Sequence, residues 1–237
     1  MFYTPEIING FAKLDEEESR HLQTVLRHKT GDRLQLTDGK GLFYTAEISE
    51  IGKKQVLARI LETTSMPAER RARLHVAIAP TKNIDRLEWF LEKATEMGID
   101  TITPLLCKRS ERETIRPDRL EKILVSAMKQ SLRAYLPVLN PLTPFAKVIA
   151  DAGAYPQRYI AWCASEPVPH LKSLAQPGVD TLVLIGPEGD FSPEEVALAL
   201  GNGFLAISLG AARLRTETAG MFVVAALNWQ ETTSSAL

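Results

Sequence analysis

Cysteine and histidine are scarce in this sequence, and their spacing excludes two kinds of site. The 237 residues include two cysteines, Cys107 and Cys163, and four histidines. No CxxC pair is present and the histidines are scattered, so neither a disulfide framework nor a metal site is predicted. Unpaired cysteines are typical of a reducing compartment, and we therefore expect a cytoplasmic protein.

Long apolar runs and a surplus of charge are also missing. The apolar run from Met221 to Leu227 is too short to cross a bilayer, and the first residues lack the basic and apolar regions of a secretory signal, so we expect none. With 28 basic and 29 acidic residues the net charge is -1, which excludes a globally basic nucleic-acid binder but not a local basic surface. At 45% hydrophobic and 24% charged residues, the chain has the composition of a globular protein.

What is present in the first seventy residues is the pattern of a small β-barrel. Asp38-Gly39 indicates a hairpin, and Gly52-Lys53-Lys54 indicates a second turn. A short helix is predicted over 19–27, and the polar stretch 63–73 is predicted to be a linker, which gives a first domain over 1–70. Apolar and polar residues alternate as in half-buried strands in the runs 34–36, 44–48 and 56–60.

Residues 74–237 instead alternate between strands and helices. This order predicts an α/β domain with a mainly parallel sheet covered on both faces. The helix predicted over 217–229 is apolar on most sides, so we expect it to be buried. Both cysteines fall in predicted strands and are interpreted as core thiols. Strands are predicted at 74–78, 101–106, 159–163, 181–185 and 204–209, and the other helices at 84–97 and after Pro117.

The first candidate binding segment is a glycine-bearing loop between an apolar strand and a helix. Ser192 is predicted to cap this helix, with Pro193 in its first turn and Glu195 completing a capping box. In α/β sheets, loops at the carboxyl ends of strands are where ligands bind. A tight turn without any ligand is the equally open alternative.

The composition of this loop argues against phosphate. Neither GxGxxG nor GxxxxGK[ST] is present, and Glu188 and Asp190 would place negative charge beside a phosphate. Carboxylates suit ribose hydroxyls or a cationic ligand. The loop therefore favours a positively charged adenosine derivative over NAD or ATP.

A second loop of the same kind precedes the last helix. The small residues 210–212 allow a ligand to approach the backbone closely. Arg213, Arg215 and Glu217 then place charged groups at the mouth of an apolar site. The alternative is an ordinary capped helix with solvated arginines. Because both loops follow strands and lead into helices, we predict that they share one pocket.

Positive charge is concentrated between residues 108 and 133. This segment holds eight basic and four acidic residues, and Lys82 and Arg86 could extend it. Such a surface can position a polynucleotide through its phosphates, and Gln130 and Arg133 could face a substrate. The alternative is a solvated helix face with ion pairs, which is the commoner role of a charged run.

Several motifs together resemble the SPOUT-class methyltransferases. More closely, the chain resembles the N3-methyltransferases that act on a uridine of small-subunit (16S) ribosomal RNA. The resemblance covers nearly the whole chain. Its motifs are Gly186-Pro187-Glu188-Gly189 with Phe191-Ser192, the run 209–219, His21 with Leu26-Arg27, the spacing of Lys82, Arg86, Lys93 and Glu96-Met97-Gly98, Arg109-Ser110, and Gln130-Ser131 with Arg133.

The resemblance implies a fold, a cofactor and partners. The fold would be a PUA-like β-barrel followed by a SPOUT domain over 74–237 whose C-terminal part forms a trefoil knot. The cofactor would be S-adenosyl-L-methionine, whose sulfonium cation agrees with the acidic loop. The substrate would be ribosomal RNA or the small ribosomal subunit, and the protein would be a homodimer.

The resemblance also implies roles for individual residues. Arg215 and Arg213 would be catalytic, and Glu217 would accept the N3 proton. The alternative for Glu217, slightly favoured, is a helix cap or the partner of an arginine. The donor-binding residues would be Leu184, Gly186, Pro187, Glu188, Gly189, Leu209, Gly210, Leu214, Thr218 and Ala219. The RNA-binding residues would be Arg27, Lys82, Arg86, Arg109, Arg112, Arg116, Gln130 and Arg133.

The chain departs from the family pattern at three places, and two other functions compete. Ala212-Arg213-Leu214-Arg215 replaces Arg-Ile-Leu-Arg, Lys129 replaces a glutamate, and Asp190 replaces a glycine. A nucleotide-dependent dehydrogenase or kinase is disfavoured by the missing phosphate motifs. A non-catalytic RNA-binding or ribosome-assembly protein is disfavoured by the two intact glycine loops.

Overall fold

The chain forms two compact units. The computed structural model describes residues 1–68, 72–163 and 167–232, with side chains of the last helix up to residue 228. Met1–Ala68 and Val125–Leu136 form the first unit, and Glu69–Leu124 and Pro137–Leu237 form the second. No sequence pattern predicted that residues 125–136 belong to the first unit.

Six strands of the first unit form one mixed, barrel-like sheet. The strand Val56–Ser65 extends past Thr63, so the linker predicted from Thr63 begins later than expected. The charges of that linker, at residues 69–71, lie outside the described residues. The strands are β1 (Phe2–Tyr3), β2 (Ile7–Ile8), β3 (Phe11–Leu14), β4 (Arg33–Thr37), β5 (Leu42–Ile51) and β6 (Val56–Ser65), in the spatial order β1-β4-β5-β6-β3-β2.

The strand and turn predictions for this unit are confirmed. β4 pairs antiparallel with β5, and β5 with β6, so both predicted turns are hairpins. Only β1 and β4 pair in parallel. Alternate residues point inward, because a strand has a period of two. The core therefore contains Leu34, Leu36, Ala46, Ile48, Val56 and Ala58.

The short helix of the first unit was predicted at the wrong bounds. Helix α1 spans Glu16–Arg20 and begins early because the Asp15 carboxylate accepts a hydrogen bond from the Glu18 N–H at 2.8 Å. A π-helical turn, His21–Val25, follows it. Glu18 also pairs with Lys129, the position at which the family motif has glutamate. Burial raises the pKa of the Glu18 carboxyl, although Lys129 opposes this effect.

All strands of the second unit pair in parallel, which confirms the predicted sheet. The two strands that follow helices near the C-terminus end earlier than predicted, at Ala161 and Ile207. The strands are β7 (Leu74–Ile78), β8 (Thr101–Leu106), β9 (Val138–Leu139), β10 (Thr143–Pro144), β11 (Gln157–Ala161), β12 (Thr181–Ile185) and β13 (Leu205–Ile207). Their order is β10-β8-β7-β12-β11-β13, with β9 also paired to β8.

Helices connect these strands. Within the described part of the chain, no helix is long and apolar enough to span a membrane. Helix α3 runs from the second unit into the first. The helices are α2 (Ile84–Glu96), α3 (Pro117–Gln130), α4 (Phe145–Asp151), α5 (Leu171–Leu174), α6 (Pro193–Gly201) and α7 (Thr216–Thr232), with a 3-10 turn at Ala152–Ala154.

Helix α7 packs tightly on one side only. A Cβ atom on Gly220 would lie 2.7 Å from the Phe90 ring and 3.0 Å from Ile78, so this glycine lets α7 approach α2 and β7. On the other side, Thr218, Phe222 and Ala225 are exposed. The prediction of a buried helix is therefore wrong for this face of the single chain.

The two cysteines differ in their surroundings. Cys107 is buried in the core of the second unit, as predicted, one residue beyond β8. Cys163 is exposed, which contradicts the prediction. The reason is that β11 ends at Ala161, so Cys163 belongs to the loop that follows the strand.

Candidate functional site

The two glycine-bearing loops line one cavity of about 1120 Å³ at the carboxyl ends of β11, β12 and β13. A parallel sheet brings these strand ends to one edge, which is where open α/β sheets bind ligands. The two loops therefore line one pocket, as predicted. The described residues lining the cavity are 161–163, 167–168, 185–188, 190, 207–216 and 219.

Most of the predicted donor-binding residues line this cavity. They are Gly186, Pro187, Glu188, Leu209, Gly210, Leu214 and Ala219. Leu184 is not among them because it is wholly buried in the core, whereas Ile185 lines the cavity. Gly189 lies against Arg109, and Thr218 is exposed on α7.

Loop 186–191 is a tight turn around a left-handed residue. A Cβ on Gly186 would lie 3.1 Å from two ring carbons of Phe191, so the ring packs directly on this glycine. Asp190 has φ of 62° and donates its N–H to the Pro187 carbonyl at 2.9 Å. Its carboxylate accepts from the Cys163 N–H at 3.0 Å. Asp190 therefore joins this loop to the chain that follows β11.

Two further contacts fix the loop. The Thr216 hydroxyl donates to the Gly186 carbonyl at 3.0 Å in a buried position, which ties the start of α7 to the loop. The Glu188 carboxylate accepts from the Lys82 N–H at 3.0 Å. Its other oxygen, Oε2, is buried with no hydrogen-bond partner in the described part of the chain. No sequence pattern predicted this contact of Thr216, because two residues 30 positions apart leave no local signal.

The capping box predicted after this loop is confirmed. The Ser192 hydroxyl accepts from the Glu195 N–H, and the Glu195 carboxylate accepts from the Ser192 N–H at 2.8 Å. The same carboxylate accepts from the Lys108 N–H at 2.8 Å. Helix α6 is thereby joined to the segment that follows β8.

The rim of the cavity carries charges of both signs. Arg213 and Arg215 line it and are exposed. Burial raises the pKa of the Cys163 thiol, the nearby Asp190 raises it further, and Arg213 partly offsets the rise. Glu217 is not among the lining residues. Its side chain is only 11% exposed, and its carboxylate lies 3.9 Å from Nε of Arg86.

Several of the predicted RNA-binding side chains are used within the second unit. Arg112 donates to the carbonyls of Thr81 and Lys82 at 3.1 and 2.7 Å, and Lys82 pairs with Glu111 at 2.8 Å. Arg109 donates to two carbonyls of loop 186–191. Arg116 is exposed.

The remaining RNA-binding candidates belong to the first unit. Arg27 is exposed and has a left-handed backbone with φ of 57°. Gln130 is exposed at the end of α3. Arg133 is half-buried, and burial lowers the pKa of its guanidinium.

Two family models match this chain. One, described as an RNA methyltransferase domain, matches residues 68–228, and the other, described as an RNA methyltransferase PUA domain, matches residues 14–61. Among curated relatives, ribosomal RNA small subunit methyltransferase E of Synechocystis sp. is 31% identical over 234 residues. That match covers 94% of this chain and 74% of the relative.

Solved structures share the whole fold. A Porphyromonas gingivalis protein of known crystal structure is 41% identical, with a TM-score of 0.91 and 98% of each chain covered. Ribosomal RNA small subunit methyltransferase E of Neisseria gonorrhoeae, whose crystal structure contains S-adenosyl methionine, is 27% identical. Its TM-score is 0.84, and 96% of each chain is covered.

Proposed function

The chain belongs to the RNA methyltransferase family whose domain model it matches over residues 68–228, and from this membership we propose which methyl donor and which base it uses. The donor is S-adenosylmethionine, and the acceptor is N3 of a uridine in small-subunit ribosomal RNA. Support comes from the relative of Synechocystis sp. that carries this ribosomal role in its name and from the neighbour bound to the donor.

The observation that carries the proposal is the cavity shared by the two glycine-bearing loops. Its volume of about 1120 Å³ is slightly above the range of about 300–1,000 Å³ that is usual for small-molecule sites. Gly210 has φ of 123° with no atom within 4 Å of its Cβ position, so the backbone there is open to close approach. Oε2 of Glu188 is an unsatisfied acceptor suited to a hydroxyl or a cation. These features fit the donor.

The residues of the two loops would hold the donor. The backbone of Gly186–Glu188 and Leu209–Gly210 would contact its adenosine part, with Leu214 and Ala219 covering apolar surface. When bound, S-adenosylmethionine supplies an electrophilic methyl group on a sulfonium sulfur. Much of the rate acceleration then comes from alignment of this group with the base.

The arginines of the second loop would act on the uracil. N3 of uracil becomes nucleophilic only when its proton leaves, and negative charge then spreads to the flanking carbonyl oxygens. We assign stabilisation of that charge to Arg215 first and to Arg213 second, because a guanidinium offers paired donors to such oxygens. Both side chains line the cavity.

Release of the N3 proton is assigned to solvent at the exposed rim formed by residues 210–213. The methyl carbon would leave the sulfonium sulfur as its bond to N3 forms. The sulfur would depart as a neutral thioether, and the positive charge of the sulfonium would cancel the negative charge of the deprotonated uracil. Glu217, the other candidate acceptor, faces Arg86 rather than the cavity. We therefore assign it to that ion pair, which neutralises a nearly buried carboxylate.

The rest of the proposal concerns partners. The PUA domain and the exposed arginines, Arg116 among them, would position the RNA through its phosphates. The exposed apolar face of α7 supports a homodimer, and family membership supports a trefoil knot in the C-terminal part. The ribosomal substrate supports a cytoplasmic location.

Binding experiments and base mapping test the proposal. Calorimetry is expected to detect S-adenosylmethionine but neither ATP nor NAD. Ribosomal RNA from cells that lack the protein should be methylated in vitro at one uridine, at N3. Binding of ATP or NAD alone would indicate a nucleotide-dependent enzyme, and RNA binding without donor binding would indicate a non-catalytic assembly protein.

A further inference from the structure

We infer that Arg109 is a positioning residue for the methyl-donor site. Its guanidinium holds the backbone of loop 186–191 in the shape that receives the donor, so its main effect is on donor affinity and not on RNA affinity. The inference rests on the proposed function of this loop. It differs from the RNA-binding role expected for Arg109 from the sequence.

The contacts that carry the inference lie on both sides of Asp190. Nη1 of Arg109 donates to the Gly189 carbonyl at 3.0 Å and to the Phe191 carbonyl at 3.2 Å. Asp190, between them, has the left-handed φ of 62°. A non-glycine residue in this conformation costs about 1 kcal/mol or more, so the turn needs support from outside. The Arg109 guanidinium provides this support, because it donates hydrogen bonds to the carbonyls on both sides of Asp190.

The arginine lies along the loop as well as bonding to it. A Cβ on Gly189 would be 3.5 Å from Cβ and 3.8 Å from Cδ of Arg109, which are ordinary packing distances. The aliphatic part of Arg109 therefore packs beside Gly189, which remains exposed.

The segment that carries Arg109 is itself fixed. The Cys107 N–H donates to the Ser110 hydroxyl at 3.0 Å, and the Ser110 N–H donates to the Cys107 carbonyl at 3.1 Å. The next N–H, of Lys108, donates to Glu195 in the capping box at 2.8 Å. Anchoring on both sides sets the backbone from which the guanidinium reaches the loop, which is what a positioning residue requires.

Arg112 supports the loop indirectly, through the segment that contains Thr81 and Lys82. It donates to the carbonyls of Thr81 and Lys82, and the Lys82 N–H donates to Glu188. Residues 107–112 thus support loop 186–191 directly through Arg109 and indirectly through Arg112. Two arginines that would be counted as RNA-binding charge are instead engaged with backbone oxygens.

The test compares Arg109→Ala with Arg116→Ala, a matched change at an exposed arginine of the same segment. Calorimetry should show S-adenosylmethionine binding about tenfold weaker in Arg109→Ala and unchanged in Arg116→Ala. Arg109→Lys should recover part of the loss, because an ammonium can donate to both carbonyls. The slope of log RNA affinity against log salt concentration should be unchanged in Arg109→Ala. In Arg116→Ala it should become shallower by about one unit.

Hydrogen exchange without any ligand separates this inference from the proposed function. In Arg109→Ala the N–H groups of Asp190 and Phe191 should exchange faster, while those of β7 and β12 keep the wild-type rate and show that the unit is folded. Unchanged exchange in the loop together with unchanged donor affinity would overturn the inference. Failure of the wild-type protein to bind the donor would instead overturn the proposed function.

Discussion

The conformation of Gly210 makes it the most restrictive single residue of the cavity. Its φ of 123° lies in a region that residues with a Cβ rarely adopt, and nothing lies within 4 Å of its Cβ position. A Cβ there would contact no described residue other than the chain neighbours of Gly210, and the side chain would enter the cavity that Gly210 lines. Glycine is therefore needed at this position for two reasons. It can adopt the positive φ, and it leaves the cavity free of a side chain.

Gly210→Val is therefore expected to abolish detectable donor binding while destabilising the fold by about 1 kcal/mol. Gly178→Val is the matched control, because Gly178 also has positive φ, at 73°, with no atom within 4 Å of its Cβ position. Gly178 does not line the cavity, so Gly178→Val should lower the free energy of unfolding without changing donor affinity. Calorimetry and urea unfolding measure the two effects. Equal donor affinity in both variants would contradict the assignment of this cavity.

His75 is a buried group that the reaction does not use, and it makes stability depend on pH. It is 7% exposed, its Nε2 lies 2.7 Å from the Thr103 hydroxyl, and its Nδ1 lies 3.1 Å from the Tyr155 hydroxyl. Burial lowers its pKa to about 4. Between an unfolded pKa near 6.5 and this value, the unfolded chain binds a proton that the folded chain does not.

The free energy of unfolding should therefore fall as pH decreases from about 6.5 to about 4, by up to roughly 3 kcal/mol from this residue. Above pH 6.5 the contribution does not change. Urea unfolding across this range, compared with His75→Gln, isolates the effect. The variant is expected to lose the slope even if it is less stable overall. Parallel curves for the two proteins would show that His75 does not titrate in this way.

At the scale of secondary-structure elements, the N-terminus of α6 joins the donor loop to the rest of the second unit. Glu195 is buried and accepts hydrogen bonds from Ser192 and Lys108. Ser192 serves only the helix itself. Within one capping box, Ser192 thus stabilises α6 alone, whereas Glu195 also joins α6 to the segment that follows β8.

Ser192→Ala should lower the free energy of unfolding by about 1 kcal/mol, the usual cost of losing a cap. Glu195→Ala should cost about twice as much, because it leaves the N–H groups of Ser192 and Lys108 without their acceptor. Glu194→Ala, an exposed change in the same turn, should stay close to wild type. Urea midpoints at constant m-value rank the three. If Glu195→Ala cost no more than Ser192→Ala, the bond to Lys108 would carry no stability.

The elements predicted best are those that local patterns determine. Strand β7 stops just before Pro80, and strand β12 runs into the glycine loop with the bounds expected from its apolar run. The capping box follows from residue types at fixed spacing. The bounds of β11 and β13 depend instead on pairing partners that the sequence does not display.

The site was harder to predict than the fold because side-chain direction is set by tertiary contacts. Charge and spacing show that Arg109 and Arg112 are present, but not that carbonyl oxygens from distant loops accept their hydrogens. The helix predicted from Glu217 begins one residue earlier, at Thr216, and the ion-pair partner of Glu217, Arg86, lies on another helix. Nothing in a local pattern distinguishes a rim charge from a buried ion pair.

At the scale of the whole molecule, one face of α7 is not covered by any residue that the structure describes. Phe222 is 36% exposed, with its ring 6.0 Å from that of His170, and Thr218 and Ala225 beside it are exposed too. A net charge of -1 provides little repulsion between copies. An apolar helix face next to the donor-binding segment is suited to bury itself against a second copy.

Phe222→Asp should convert a homodimer into a monomer, because a symmetric interface formed by α7 would then bury one unpaired carboxylate from each copy. Sedimentation of the wild-type protein and the variant measures the change, which we expect to exceed tenfold in dissociation constant. Val138→Asp, at another exposed apolar residue of the second unit, should leave the dimer intact.

Since α7 begins at Thr216, which bonds to the Gly186 carbonyl, the monomeric variant should also bind the donor more weakly. A wild-type monomer would refute the homodimer, and a dimeric Phe222→Asp would exclude α7 as its interface.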